Sequence, residues 1–101
     1  MLFRSVDEIA AIDGVDLLFV GPSDLSQALG VTGDFMNPKM IDAMEKIRDT
    51  CIAKGIAPGT QTRNLQLAKF WKDNGMKFLG CSSEWAMMME RGKEITAALS
   101  A

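Results

Sequence analysis

Residues 21–26, Gly-Pro-Ser-Asp-Leu-Ser, hold the residue types in this sequence that are best suited to binding a small molecule. Gly21 lets a ligand approach the backbone closely, and Pro22 stiffens the turn. A helix begins in this segment, so the amides of Ser23 and Asp24 are expected to point out of its N-terminus, which favours a carboxylate or a phosphate. The segment therefore predicts a small-anion site.

The side chain of Asp24 has two alternative roles. It caps the short helix, or it binds a hard divalent cation, since such cations prefer oxygen ligands. Spacing alone favours the cap, because aspartate is common at the start of helices.

The sequence of 101 residues contains no histidine. Histidine is the commonest general base and the commonest metal-binding nitrogen, so both are missing here. Any chemistry must rest on carboxylates, hydroxyls, lysines or backbone amides. The two cysteines, Cys51 and Cys81, lie far apart in the sequence. They are expected to be reduced, packed thiols, because free cysteines are usually buried and inert.

The hydrophobic pattern predicts a helix followed by three strand–helix pairs. The three strands are predicted at residues 15–21, 56–62 and 76–81. The first is a near-continuous apolar run, which is typical of a parallel strand that is covered on both faces. Such alternation predicts an α/β fold with a parallel sheet. Ligands in these folds gather at the carboxyl ends of the strands, which selects residues 21–24, 61–64 and 80–84.

Helix starts are marked by characteristic polar residues. Ser5 and Glu8 have the spacing of a capping box, and Asn37 precedes a proline at the first helical position. Asn64 is expected to cap the next helix, and either Ser82 or Ser83 the last one. Arg63, beside Asn64, is read as a solvated arginine rather than a substrate ligand.

Composition excludes several classes of partner. The net charge is −2 and the pI is near 5.0, and the 11 basic residues are scattered, which argues against a nucleic-acid surface. No apolar run approaches the roughly 20 residues needed to cross a bilayer. The N-terminus shows no secretory leader, so a cytoplasmic location is expected.

Residues 8–16 and 19–26 together resemble the HpcH/HpaI aldolase family. Three further pieces, residues 29–30, 54–59 and 78–81, are similar to the family in the same order. The family consists of metal-dependent aldolases that act on pyruvate and related 2-oxo acids.

The resemblance implies a (β/α)8 TIM barrel, a fold of about 250 residues, of which residues 1–101 are the C-terminal three strand–helix units and a single partial domain. It implies that Asp24 is one of two carboxylate ligands of a divalent cation, with Mg²⁺ or Mn²⁺ expected. The amides of Ser23 and Asp24 then hold the carboxylate of pyruvate, and Gly21 and Pro22 shape the pocket floor.

The rest of the family's catalytic machinery comes from earlier strands: a histidine base, an aspartate that orients it, an arginine and a glutamate metal ligand. The resemblance thus implies no catalytic residue within this chain. Ser82 and Ser83 also stand where many relatives carry an aspartate. Two hypotheses follow. The chain is the C-terminal part of a class II aldolase that uses pyruvate as the enolate component and is inactive in isolation. Alternatively, it is a non-catalytic fragment that associates with itself or a partner and at most binds a small carboxylate.

Three adjacent methionines, Met87–Met89, lie beside Trp85 in the last predicted helix. They are expected either to pack in the core or to form an adaptable contact surface. The resemblance adds that this helix often packs against a neighbouring subunit, which implies a homo-oligomer.

Overall fold

The computed structural model describes residues 5–100, which form three strands and five helices. In chain order these are α1 (Val6–Ala10), β1 (Leu17–Val20), α2 (Pro22–Ala28), α3 (Pro38–Lys54), β2 (Ala57–Thr62), α4 (Leu65–Asp73), β3 (Phe78–Cys81) and α5 (Glu84–Leu99). Within this range no helix is long and apolar enough to span a membrane. The predicted alternation is confirmed, and the short helix predicted after the first strand is present as α2.

The sheet is parallel and its strands follow one another in the order β1-β2-β3. Gly59 of β2 is paired with Phe19 on one side and with Phe78 on the other. The two phenyl rings meet edge to face at a centroid distance of 5.7 Å, across the glycine between them. Paired residues of parallel strands share a face, so these three residues form one row across the sheet.

The hydrophobic core lies on one face of the sheet, under α3 and α4. Met40, Met44, Ile47 and Cys51 recur at helical spacing along α3 and are all buried. Trp71 of α4 joins them, 2% exposed. The other buried members of this cluster are Val6, Val20 and Met76. The apolar spacing along α3 therefore coincides with its buried side.

The opposite face of the sheet is open. Phe19 is 43% exposed and Phe78 is 55% exposed, whereas Val20, the next residue after Phe19, is buried. Side chains alternate between the two faces of a strand, and α3 and α4 pack on one of these faces. The prediction that the first strand is covered on both faces is thus wrong for residues 5–100.

Three of the four helix N-caps predicted from the sequence are formed in the structure. The side chains of Asn37, Asn64 and Ser83 accept hydrogen bonds from the amides of Lys39, Leu67 and Ala86, respectively. Ser5 occupies the N-cap position of α1 but makes no side-chain capping bond. Its backbone angles, φ −99° and ψ 10°, are not the extended ones that such a cap requires, so the predicted capping box is not formed.

Helix α5 has no buried residue along its whole length. Trp85 is 68% exposed and Met88 is 74% exposed, so the expectation of core packing is wrong for these side chains. The radius of gyration is 16.2 Å, against about 13 Å for a compact chain of this size. The last helix therefore adds length to the molecule without adding to its core.

The two cysteines differ in their surroundings. Both are free, but Cys51 is buried and Cys81 is exposed. Burial raises the pKa of the Cys51 thiol, which keeps it protonated and unreactive. The prediction of a packed thiol is confirmed for Cys51 and wrong for Cys81.

Candidate anion and metal site

The carboxyl ends of the three strands meet at one edge of the sheet because the strands are parallel. The strands end at Val20, Thr62 and Cys81, so the segments selected from the sequence, residues 21–24, 61–64 and 80–84, lie at this edge. Asn64 serves as the cap of α4, and the guanidinium of Arg63 lies 4.8 Å from the ring centroid of Phe35. Arg63 is exposed, so its reading as a solvated arginine is consistent with this position.

Helix α2 begins at the predicted anion-binding segment. Gly21 is its N-cap, in an extended conformation with φ −92° and ψ 99°, and Pro22 is the first helical residue. The first bond of the helix runs from the amide of Leu25 to the carbonyl of Gly21, at 3.0 Å. First-turn amides have no partner inside a helix, so those of Ser23 and Asp24 are available to a ligand.

Asp24 lies in the first turn of α2 and does not cap it. Its carboxylate makes no hydrogen bond or ion pair with any residue in the described range. The atom Oδ2 lies 3.8 Å from the position that a Cβ on Gly21 would occupy. The helix-cap role, which spacing alone favoured, is therefore not the one that the geometry supports.

Ser26 fixes the start of α2 in place. It is fully buried, and its hydroxyl donates to the carbonyl of Ser23 at 2.9 Å and accepts from the amide of Gly33 at 3.1 Å. These bonds join the first turn of the helix to the loop that follows it. This role of Ser26 was not predictable from the sequence, because its partner Gly33 lies seven residues away in a loop without a recognisable pattern.

A cavity of about 510 Å³ lies along the outer edge of β1. Its walls are mainly apolar side chains of α1, α2 and β1, and Gly21 and Asp24 also contribute to its lining. Asp24 thus borders a mainly apolar space at the open edge of the sheet.

The described residues do not form a complete metal site. Among residues 5–100 no group of three or more His, Cys, Asp or Glu side chains could hold a metal ion. Hard divalent cations take about six or more oxygen ligands, several of which can be water. Asp24 offers one unpartnered carboxylate, so any cation bound here needs ligands from beyond this range.

Ser82, at the end of β3, is the only non-glycine residue with a positive φ between residues 5 and 100, at 63°. Its amide donates to the carbonyl of Thr62 at 2.9 Å, and its carbonyl accepts from Nε2 of Gln61 at 2.9 Å. Its hydroxyl is buried without a hydrogen-bond partner. Ser82 therefore combines a strained backbone with an unsatisfied polar group, while Ser83 provides the helix cap.

Replacing Ser82 with glycine is expected to raise the free energy of unfolding by about 1 kcal/mol. Glycine adopts a positive φ without strain, and the change removes a buried, unpaired hydroxyl; the greater freedom of glycine in the unfolded chain offsets part of the gain. Urea unfolding monitored by circular dichroism measures the difference. The control is Ser83→Ala, which removes a formed cap and should lower stability by about 1 kcal/mol. Lower stability of Ser82→Gly would contradict the argument.

A family model and individual relatives assign this chain to the same family. The family model described as HpcH/HpaI aldolase/citrate lyase matches residues 3–88. A hydroxypyruvate/pyruvate aldolase of Roseobacter denitrificans is 34% identical over 93 residues, covering 92% of this chain and 36% of that protein. A 2-dehydro-3,6-dideoxy-6-sulfogluconate aldolase of Pseudomonas putida is 37% identical over 98 residues, covering 94% and 37%. The chain thus spans little more than a third of these relatives.

Solved structures agree with the sequence comparisons. An HpcH/HpaI aldolase/citrate lyase family protein from Burkholderia cenocepacia superposes with a TM-score of 0.92 at 27% identity, covering 98% of this chain and 38% of that one. An HpcH/HpaI aldolase from Desulfitobacterium hafniense gives a TM-score of 0.85 at 25% identity, covering 99% and 39%. The parallel strand–helix units described above are therefore those of an HpcH/HpaI TIM barrel. The chain belongs to the HpcH/HpaI aldolase/citrate lyase family.

Proposed function

We propose that residues 1–101 act as the C-terminal part of a (β/α)8 barrel that cleaves or forms carbon–carbon bonds of 2-oxo acids, with pyruvate as the enolate component. The observation that carries this proposal is the pairing, at one strand end, of an unpartnered carboxylate on Asp24 with the available amides of Ser23 and Asp24. Membership of an aldolase family, with relatives named as pyruvate aldolases, supports the same chemistry.

Each residue of the site has a distinct role in this proposal. The amides of Ser23 and Asp24 bind the carboxylate of pyruvate, and Gly21 and Pro22 form the floor against which it lies. The carboxylate of Asp24 supplies one oxygen ligand to a divalent cation, Mg²⁺ or Mn²⁺. When bound, such a cation polarises the 2-oxo group and stabilises the negative charge of the enolate. Ser26 keeps the first turn of α2 in position for both tasks.

Proton transfer requires groups from outside this chain. The sequence contains no histidine, and among the described residues no three His, Cys, Asp or Glu side chains come together as a metal site. In the proposed barrel the remaining strand–helix units supply the base and the other metal ligands. The cytoplasmic location expected from the sequence stays a prediction.

The isolated chain is therefore expected to show no aldolase turnover. The assay mixes it with Mn²⁺ or Mg²⁺, pyruvate and an aldehyde. Its counterpart is a completed barrel, in which residues 1–101 replace the matching segment of the Roseobacter denitrificans aldolase. The completed barrel should turn over, within the usual enzyme range of about 1–1000 per second, and lose activity in EDTA. A folded completed barrel with no activity on any aldehyde would overturn the proposed function. EDTA-sensitive turnover by the isolated chain would show that proton transfer does not need groups from outside the chain.

A homo-oligomer is the second part of the proposal, and the exposure of α5 favours it. Trp85 and Met88 lie three residues apart on one side of this helix, and both are largely exposed. Exposed apolar surface of this kind marks contact sites. The outer strands β1 and β3 also leave edges that no strand among residues 5–100 pairs with.

The purified chain is accordingly expected to associate instead of remaining a monomer of 11.0 kDa. Light scattering across a range of concentrations measures its molar mass. The double variant Trp85→Ala/Met88→Ala should move the mass toward that of the monomer. Leu65→Ala is the matched control, because Leu65 is 69% exposed on α4 and should leave association unchanged. A clean monomer of the unmodified chain at high concentration would contradict this expectation.

A further inference from the structure

Gln61 lies between two glycines in one row of neighbouring residues across the sheet. It pairs with Gly80 of β3, and continuing the register of β1 and β2 by one residue places Gly21 on its other side. Its neighbours along the strand, Thr60 and Thr62, are buried, so Gln61 projects from the opposite, open face. It thus stands at the carboxyl edge, in the same row as the glycine beside Asp24.

The carboxamide of Gln61 is held in a defined orientation. Its Nε2 donates to the carbonyl of Ser82 at 2.9 Å and to that of Thr62 at 3.3 Å. Both partners are acceptors, and only the NH₂ end of an amide can satisfy them, so the oxygen must point the other way. Oε1 consequently lies over Gly80, where a Cβ on residue 80 would collide with it.

The amide oxygen is an oriented acceptor without a partner. No residue in the range 5–100 donates a hydrogen bond to Oε1, and Phe19 reaches within 3.5 Å of the Cβ position above Gly80. The edge therefore presents a neutral acceptor next to the phenyl ring of Phe19. Such a group pairs with a hydrogen-bond donor such as a hydroxyl, and it disfavours a carboxylate, which has no proton to donate.

We propose that Gln61 determines which aldehyde the barrel prefers, because Oε1 accepts a hydrogen bond from a hydroxyl group on the aldehyde component. This role rests on the proposed aldolase function. It assigns to β2 a substrate contact separate from the anion and cation contacts of α2. The carboxamide that makes this contact occupies the space that a side chain at position 80 would fill.

The first test uses the 101-residue chain itself. Side-chain amide signals in ¹⁵N-resolved NMR spectra should show the NH₂ group of Gln61 protected from exchange and close to the backbone of Ser82. Gly80→Ala should shift these signals strongly, because the new methyl group displaces the carboxamide. A freely exchanging, unshifted amide in the unmodified chain would overturn the proposal, because the acceptor would then have no fixed direction.

The second test measures specificity in the completed barrel, as the ratio of kcat/KM for glyceraldehyde to that for propanal. Gln61→Leu, which removes the acceptor at similar size, should lower this ratio roughly five- to tenfold, the effect of losing one hydrogen bond. Gly80→Ala should lower it in the same direction, whereas Arg63→Leu, at the same strand end, should leave it unchanged. If Gln61→Leu turns over both aldehydes with an unchanged ratio, the proposed role of Gln61 is wrong but the aldolase function stands. A folded barrel that is inactive with both aldehydes overturns the aldolase function and this role with it.

Discussion

Replacing Gly59 with alanine is expected to lower the free energy of unfolding by about 2–3 kcal/mol. A Cβ at this position would lie 2.7 Å from the backbone oxygen of Phe78, 3.0 Å from the Cβ of Phe78 and 3.1 Å from Cδ1 of Leu17. The closest of these atoms belongs to the backbone of the paired strand, so no side-chain rotation relieves the clash. Strands β2 and β3 would have to separate, which also disturbs the contact between Phe19 and Phe78.

The measurement is urea unfolding of the chain, with the slope compared as well as the midpoint. Gly92→Ala in α5 is the matched control, because a Cβ there meets nothing within 4 Å. Alanine is a better helix former than glycine by about 1 kcal/mol, so this variant should be equally stable or slightly more stable. If both variants unfold at the same urea concentration as the parent, the tight packing around Gly59 is refuted.

Asp24→Asn is expected to reduce the affinity of the completed barrel for Mn²⁺ by more than about 100-fold. Residues that merely support a metal ligand affect affinity by about 10–100-fold, so the loss of a ligand charge should exceed that range. Aldol cleavage should fall together with metal binding. The melting temperature of the metal-free protein should hardly change, because the Asp24 carboxylate has no partner among the described residues and asparagine preserves its shape.

Calorimetric titration of Mn²⁺ into the parent and the variant measures this difference directly. Asp42→Asn serves as the control, since Asp42 is another exposed carboxylate, located on α3 and outside the lining of the cavity beside Asp24. Equal Mn²⁺ affinity in the parent and in Asp24→Asn would remove Asp24 from the set of ligands. The site would then retain only its backbone amides as binding groups.

Most of the helices could be predicted because their signals are local. Asn37 followed by proline, and a left-handed Gly55 with φ 76°, mark the two ends of α3 within a few residues of sequence. The apolar spacing between them also identifies which side of the helix is buried. The capping box at Ser5 failed for a local reason too: the pattern of residue types was present, but the backbone before α1 does not have the required conformation.

The candidate site was predictable only in part. The segment that contains Asp24 could be found because glycine, proline and aspartate at a strand end have distinctive chemistry. Gln61 and Ser82 could be placed at a strand end, but their partnership depends on the register of β2 against β3, which no local pattern specifies. The open face of the sheet was missed for a related reason, because an apolar strand looks the same whether its second face is covered by the same chain or by other parts of a barrel.

The two tryptophans report on different parts of this molecule. Trp71 is 2% exposed in the core between α4 and the sheet, whereas Trp85 is 68% exposed on α5. Red-shifted, readily quenched fluorescence should therefore come from Trp85, and blue-shifted, protected emission from Trp71. Acrylamide quenching can follow the covering of α5 by another surface while the emission of Trp71 shows independently that the core is intact. The isolated position of the last helix thus gives the chain an intrinsic optical probe of its own assembly.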